Sequence, residues 1–429
     1  MPEGRPDGAW LRSQRQAHGW DVPEMARRLA AAAGSNRGGL PDHDGLVHYI
    51  RRWERGAIAL SERYWLLYKR ALALTEGTPG GGLDDDTLGE LAGVRDHRRL
   101  IGERTPAIIE LSEVLTDYGF DPCRLGSRPD QAPSLASLER DVRIAFDAYQ
   151  QSRLTTAASR IVMLLADAQL AARECTETDR ARALKVLALS YQAAATVLAK
   201  VGETDLAWIA AERGLNAAEA SGSLLVRGSL IRSVVFALHS TCRFEAAMRL
   251  ADASADSLYQ GISGDNAMLS VYGTLLLTAS MAAARFGDGS RAADYLRESG
   301  RAAQRLGADG NYLWTSFGPT NVAIHRVNTA VELHDFQTVL DSGLSLDTAG
   351  VPAERRVRYV LDVARVYALT GRKDDALGAM LTAERIAPEQ VRQHYLSRKV
   401  VTTLMRGTQG KPAPELSKLA ARVKIGEPH

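Results

Sequence analysis

Residues 201–215 read VGETDLAWIAAERGL, a helical run broken by a short polar turn and resumed behind a small residue. Four later stretches share that build: CRFEAAMRLADAS from Cys242, FGDGSRAADYLRES from Phe286, LHDFQTVLDSGL from Leu333 and TGRKDDALGAMLTAE from Thr370. The matching small positions are Ala207, Ala246, Ala292, Thr338 and Ala376, spaced 39, 46, 46 and 38 residues apart. A period of this length implies stacked helix pairs, each covering its neighbour's apolar face. Alanine at the turn lets two helices approach closely, and Gly202 and Gly371 permit the tight reversal. Between the turns, Leu187, Tyr191, Ala194, Leu198 and Val201 step by 4, 3, 4 and 3, and Val357, Leu361, Ala364 and Ala368 behave alike. That is the period of an α-helix. No train of alternating strands interrupts it, and from about Leu135 onward the chain reads as all-α.

These units resemble tetratricopeptide repeats, whose standard period is about 34 residues. The longer spacing marks them as degenerate. The resemblance implies a right-handed helical-repeat solenoid over residues 135–429.

Composition sets the frame. At 429 residues the chain is too long for one ordinary core, and two or three domains are expected. With 45% apolar and 24% charged residues it is globular rather than disordered. No run approaches the roughly 18 consecutive apolar residues of a membrane span, and the first residues lack a signal peptide's apolar segment. A cytoplasmic protein without a membrane partner is expected. Cys123, Cys175 and Cys242 lie far apart with no CxxC pair, which argues against a disulfide framework and a cysteine-rich zinc site.

The formal charge of +2 hides an asymmetry. Residues 1–74 hold 12 Lys and Arg against 8 Asp and Glu, and four of the six tryptophans: Trp10, Trp20, Trp53 and Trp65. The remainder holds 41 against 43. A small basic, Trp-rich head (1–74) thus precedes a near-neutral body (135–429). Between them, residues 75–134 form a linker. It opens with the Gly-, Pro- and acid-rich stretch TEGTPGGGLDDD, carries a helical pattern at Ile108, Leu111, Leu115 and Tyr118, and breaks again at Pro122, Pro129 and Pro133.

In the head, Asp21 followed by Glu24 is a capping box that starts a helix just after Gly19. Met25, Leu29 and Ala32 give that helix one apolar face. Leu46, Tyr49, Ile50 and Trp53 give the third helix a buried side, His48, Arg51, Arg52 and Arg55 its polar one, and Gly56 its end. A fourth helix runs from Ser61 to Leu74. Several short helices, one presenting Arg and His, form the layout of a helix-turn-helix.

The order LR..R...G, a capped second helix and then IRRWERG resembles the phage-repressor-like (XRE-type) helix-turn-helix over residues 9–74. The resemblance implies that Arg15 and Glu54 form a buried ion pair tying the first helix to the end of the third. It implies that His48, Arg51 and Arg52, with Arg55 and Arg12 beside them, meet double-stranded DNA. Two departures stand out: Val22 occupies a position where the family usually has a DNA-contacting Gln, and an insertion, Gly34 to Gly45, precedes the third helix. Head and repeats together resemble the actinobacterial type of XRE regulator with a tetratricopeptide-like C-terminal domain. They more loosely resemble the RRNPP-type peptide-sensing regulators. That likeness implies a homodimer and a peptide or small-molecule effector.

Polar stripes on the first helix of successive repeats mark a candidate effector site. Asn321, His325, Asn328 and Glu332 step by 4, 3 and 4; Arg358, Asp362 and Arg365 follow the same spacing in the next unit, and Arg232 and His239 lie in an earlier one. Asn offers a donor and an acceptor to a peptide backbone, and Arg suits a carboxylate. In solenoids the first helices line the concave groove, so these residues are expected to face one site.

Enzyme chemistry leaves no trace: there is no GxxxxGK[ST] loop, GxGxxG fingerprint, HExxH pair or GxSxG elbow, and no metal or cofactor is expected. Two functions follow. The first is a sequence-specific DNA-binding regulator whose repeats dimerise and sense a ligand. The second is an interaction scaffold whose head binds DNA weakly or not at all.

Overall fold

A computed structural model describes residues 8–32, 41, 43–56, 60, 62–73, 105–116, 133–262, 264–406 and 412–425. The linker stretch 75–86, Tyr118, Cys123, Pro122, Pro129, Ser61 and most of the 34–45 insertion lie outside them. The described residues are helical but for turns and one isolated bridge between Gly310 and Phe317. The protein is an all-α chain whose body is a helical-repeat solenoid.

The head contains α1 (Gly8–Ala17), α2 (Val22–Ala32), α3 (His43–Glu54) and α4 (Glu62–Ala73). The Asp21 carboxylate accepts from the Glu24 amide at 2.6 Å and caps α2. Helix α3 begins at His43, so the last three residues of the 34–45 insertion are its first turn rather than part of a loop. Met25, Leu29, Leu46, Ile50 and Trp53 are buried together, as a period of 3–4 dictates. A further helix, α5 (Pro106–Thr116), buries Ile108, Leu111 and Leu115 against the start of the body.

The body stacks antiparallel pairs. These are α6 (Leu135–Gln150) with α7 (Leu154–Glu174), α8 (Arg180–Val201) with α9 (Thr204–Ala220), α10 (Leu224–Ser240) with α11 (Phe244–Tyr259), and α12 (Asn266–Phe286) with α13 (Gly289–Leu306). Next come α14 (Pro319–Glu332) with α15 (Phe336–Ser342) and α16 (Ala353–Leu369) with α17 (Lys373–Ile386). Then α18 (Pro388–Gln393), α19 (Tyr395–Arg406) and α20 (Pro414–Arg422) complete it.

Six of the reversals share one geometry. A left-handed residue (Ser152, Gly202, Cys242, Gly287, His334 or Gly371) follows the first helix, and the next residue donates its amide to the carbonyl five places back. Arg243 to Leu238 and Asp335 to Ala330 are examples, each at 2.9 Å. This hydrogen bond satisfies a carbonyl that the helix end would leave open. Ser152 at φ 58° and Cys242 and His334 at φ 60° hold this conformation without being glycine. The buried small positions after the turns are Ala207, Ala247, Ala292, Val339 and Ala376. In two units this corrects the expected register by one, from Ala246 to Ala247 and from Thr338 to Val339: the close contact falls at the fourth residue of each second helix, counted from Thr204, Phe244, Gly289, Phe336 and Lys373.

The solenoid's ends meet. Ser152 Oγ donates to Gln390 Oε1 at 2.7 Å, the Thr155 amide donates to Glu389 Oε1 at 2.5 Å, and Lys200 pairs with Glu354. The first helices of the pairs therefore surround a central space.

By length and composition, Arg180–Val201 and Asn266–Phe286 are apolar enough to cross a membrane. The apolar window of the latter is 89% buried inside the fold, so core packing accounts for its composition.

Candidate functional site

The central space is a cavity of about 1100 Å³. Its walls come from the first helices α8, α10, α12, α14 and α16, from α19 and from α3 of the head. Ten Lys and Arg side chains and three carboxylates line it, so its formal charge is strongly positive. Phe146, Trp314, Phe236, Phe244, Met281 and Ile324 supply apolar wall. Trp314 stacks on Phe146 at 4.1 Å and 8°, and the strand-like bridge between Gly310 and Phe317 holds the loop that carries it.

Of the eight residues expected to hold an effector, six line this cavity: Arg232, His239, His325, Asn328, Arg358 and Arg365. The other two do not. Asn321 is fully buried under the loop before α14, its Nδ2 3.5 Å from the Thr315 carbonyl. Asp362 lies behind the wall, 1% exposed, and accepts from Arg358 Nε at 2.9 Å. The Asn328 amide, with its nitrogen toward the carboxylate, donates to Asp362 Oδ2 at 2.9 Å and to the Ile324 carbonyl at 3.0 Å. Asp362 thus orients two cavity residues instead of meeting a ligand itself. Burial pushes its carboxyl up, although Arg358 opposes this.

A second layer of charge holds the wall. Glu332 lies 3.4 Å from Arg285 and 3.6 Å from Arg365. Against the effect of burial, Arg285, Arg365 and Arg358 hold its carboxyl well below the usual carboxylate range. Glu354, similarly buried, is held low by Arg355 and Lys200. Burial lowers Lys200, with Glu354 opposing.

Both histidines are neutral at physiological pH. Burial, with Arg285 nearby, pushes His239 down to about 3, and burial with Arg355 does the same to His325. The Asn321 carbonyl, 3.0 Å from His325 Nδ1, can only accept, so Nδ1 carries the proton and Nε2 is the free acceptor.

Unlike Lys200, Arg285, Arg355, Arg358 and Arg365, Arg232 has no carboxylate within ion-pair distance among the described residues, and its Nε meets no acceptor. Burial and Arg355 lower it to about 10, which still leaves it charged at neutral pH.

In the head, Arg15 and Glu54 form a two-point ion pair, while Arg12 donates to the Glu54 carbonyl at 3.2 Å and lies 3.7 Å from its carboxylate. Arg12 is thereby directed at the end of α3. Arg51 and Arg55 are exposed, with Arg55 Nε donating to the Arg51 carbonyl at 3.0 Å. His48 and Arg52 point to the cavity mouth. Between them Tyr49 packs edge-on against Phe286 at the end of α12, with ring centroids 5.4 Å apart. Part of the polar stripe on α3 therefore faces the body.

The spacing of polar residues missed Lys200, Arg285, Glu354, Arg355 and the Phe146–Trp314 stack. Arg355 and Arg358 share one face at i, i+3, a signal that was available; Lys200 and Glu354 meet across 154 residues of chain, which no local pattern records.

No protein-family profile matches the chain, and no curated protein is similar to it. Among solved structures it is similar to the crystal structure of aspartyl phosphate phosphatase F from Bacillus subtilis. The identity is 13% and the TM-score 0.40, over 85% of this chain and 94% of that one. The solenoid assignment rests on this chain's own helices and not on that likeness.

Proposed function

We propose that the protein is a cytoplasmic, ligand-responsive DNA-binding regulator of the XRE type, working as a homodimer. Its head reads double-stranded DNA through α3, and its repeats hold a peptide or small-molecule effector. One observation carries this reading: His48 and Arg52, on the polar stripe of α3, line the same cavity as six polar residues from the first helices α10, α14 and α16. A molecule in that cavity meets both halves of the protein. Occupancy can then shift the head between a position on the body and one that reaches DNA, provided the ligand favours one of the two. Dimerisation follows from the size of the head, since a single small module makes few base contacts and two half-sites supply the rest.

The test is a gel shift with the region upstream of the protein's own gene. Wild type is expected to retard a discrete fragment, and Arg51→Ala with Arg52→Ala to lose that specificity while remaining folded. An Arg bidentate to guanine is worth about 1–3 kcal/mol of discrimination. Equal binding by the folded double variant sinks the assignment of α3 as the reading helix.

A second reading is an interaction scaffold with an inactive head. Val22 and the inward turn of His48 and Arg52 favour it. Absence of any specific fragment for the wild type, with and without cell extract, would decide for it.

A further inference from the structure

The cavity is too cationic for its own carboxylates, and among the described residues its inward-facing Arg232 has no ion-pair partner. Four of its lining groups are balanced within the protein: Lys200 and Arg355 by Glu354, and Arg285 and Arg365 by Glu332. Arg358 is balanced from behind by Asp362. Among the described residues no carboxylate lies within ion-pair distance of Arg232, which feels Glu354 only from farther off; it lines the cavity from α10 with an open Nε, close enough to Arg355 to feel its charge. Holding two guanidiniums near each other in a half-buried site is costly unless an anion joins them. The same cavity has apolar and aromatic wall, including Phe236 and Trp314, the latter stacked over the buried Phe146. The volume suits a small molecule or short peptide and excludes duplex DNA.

We infer that the cavity binds an anionic amphiphile, its acid group seated between Arg232 and Arg355 and its apolar body against Trp314 and Phe236. This deepens the proposed sensing role by naming the ligand class, and it rests on that reading only for its consequence at DNA. Guanidinium is the right group for the task, because its planar fork gives two parallel donors to a carboxylate. Neutral His325 beside the pair, with Nε2 free to accept, adds a place for a donor on the ligand. The open Nε of Arg232 marks a donor without an acceptor, while burial first and Arg355 second lower the affinity of its guanidinium for the proton.

The experiment uses the purified full chain and two fluorescent probes that differ in one group. 1-Anilinonaphthalene-8-sulfonate carries an anion on an aromatic body, and N-phenyl-1-naphthylamine is the same body without it. Wild type is expected to bind the anionic probe about tenfold or more tighter than the neutral one. Arg232→Met is expected to erase most of that preference while leaving the neutral probe within about twofold. The same variant should melt no earlier than wild type without ligand, because the charge removed was unpaired; a merely structural arginine would destabilise on removal. Arg297→Met, at an exposed site outside the cavity, controls for general surface charge. Should R232M melt early, R355M carries the same comparison, since Lys200 remains to hold Glu354. Competition by decanoate and, separately, by a short apolar peptide with a free C-terminal carboxylate distinguishes the two sources of the acid group. Equal affinity for both probes, or a folded R232M that keeps the preference, overturns the inference. So does failure of both competitors to displace the anionic probe. If the preference holds but no competitor changes fragment binding in the gel shift, the ligand class stands and the sensing reading falls.

Discussion

Arg15 grips Glu54 from both sides of its carboxylate, Nε to Oε1 at 2.6 Å and Nη2 to Oε2 at 2.8 Å, while Nη1 donates to the Trp20 carbonyl at 2.7 Å. The pair spans 39 residues and joins α1 to the last turn of α3, with the Arg15 and Glu54 side chains 11% and 4% exposed. Its side-chain hydrogen bonds to Glu54 raise the Arg15 guanidinium further above its ordinary range. The bidentate geometry fixes direction as well as distance. It sets the angle at which α3 leaves the head, and hence where His48 and Arg52 face.

Replacing Arg15 by Ala leaves the buried Glu54 carboxylate with only the half-exposed Arg12, 3.7 Å away. The expected cost to the head is about 3–5 kcal/mol. Chemical unfolding followed by tryptophan fluorescence reads it directly, since Trp53 lies in the head core. A head that unfolds at the wild-type denaturant concentration would show that the pair contributes nothing.

Gly273 has no room for a side chain. A Cβ there would lie 2.0 Å from Phe317 Cζ, and Phe317 is fully buried in the loop that presents Trp314 to the cavity. Gly273→Ala is expected to destabilise by about 1–3 kcal/mol through overpacking. Phe317→Ala alone should cost about 3–5 kcal/mol by leaving a void. The double variant is expected to cost less than the sum, because the small residue at 317 makes space for the methyl. Additive losses in urea would mean that the ring moves aside freely.

His239 and His325 tie stability to pH. Each has a folded pKa of about 3, against roughly 6.5 when unfolded. The native state keeps both neutral, whereas the unfolded chain takes up protons as pH falls below 6.5. Each therefore costs stability on acidification between about pH 6.5 and 3, at a limiting slope of about 1.4 kcal/mol per pH unit. His239→Gln is expected to lose less stability than wild type between pH 7 and pH 5, measured by urea unfolding. Parallel pH profiles for the two proteins would show that His239 binds its proton equally well in the folded and unfolded chain.

The repeat architecture is legible in sequence because its signals are local. A left-handed residue at Gly202 or Gly371 and a small residue near Ala207 or Ala376 belong to one turn, and the turn recurs. The inward faces are legible for the same reason: His325 and Asn328, or Arg358 and Arg365, follow the helical period. Periodicity gives a face but not what covers each end of it. Asn321 shares the stripe of His325 and is buried all the same, because the Gly310–Phe317 loop folds over the first turn of α14. Asp362 lies on the stripe's edge and turns to Arg358 and Asn328. Closure of the solenoid, through Ser152 with Gln390 and Lys200 with Glu354, depends on the sum of small rotations over all the repeats. No single stretch encodes that sum, so the charge layer that closure builds was out of reach.

The contact between Tyr49 and Phe286 gives the proposed coupling a handle. Phe286 ends α12 and packs in two cores at once, that of the central repeats and that of the head. Tyr49, 9% exposed, lies on α3 between His48 and the Arg51–Arg52 pair, so this contact keeps the polar stripe partly against the body. A buried edge-to-face aromatic pair is worth about 0.5–1.5 kcal/mol beyond the area it covers. Phe286→Ala removes the pair and leaves Tyr49 and the α3 stripe intact. If the docked position withholds α3 from DNA, the variant should bind the upstream fragment about 3–10-fold tighter than wild type without effector, as the lost contact converts into a population of free heads. It should also respond less to any effector that acts by releasing the head. Circular dichroism checks that the repeats persist, and the gel shift reads the affinity. Tighter binding with a weakened response is the signature of a head held in check by the body. Unchanged affinity in a folded variant would mean that the docked head is already competent to bind DNA, and that the cavity acts on the protein by another route.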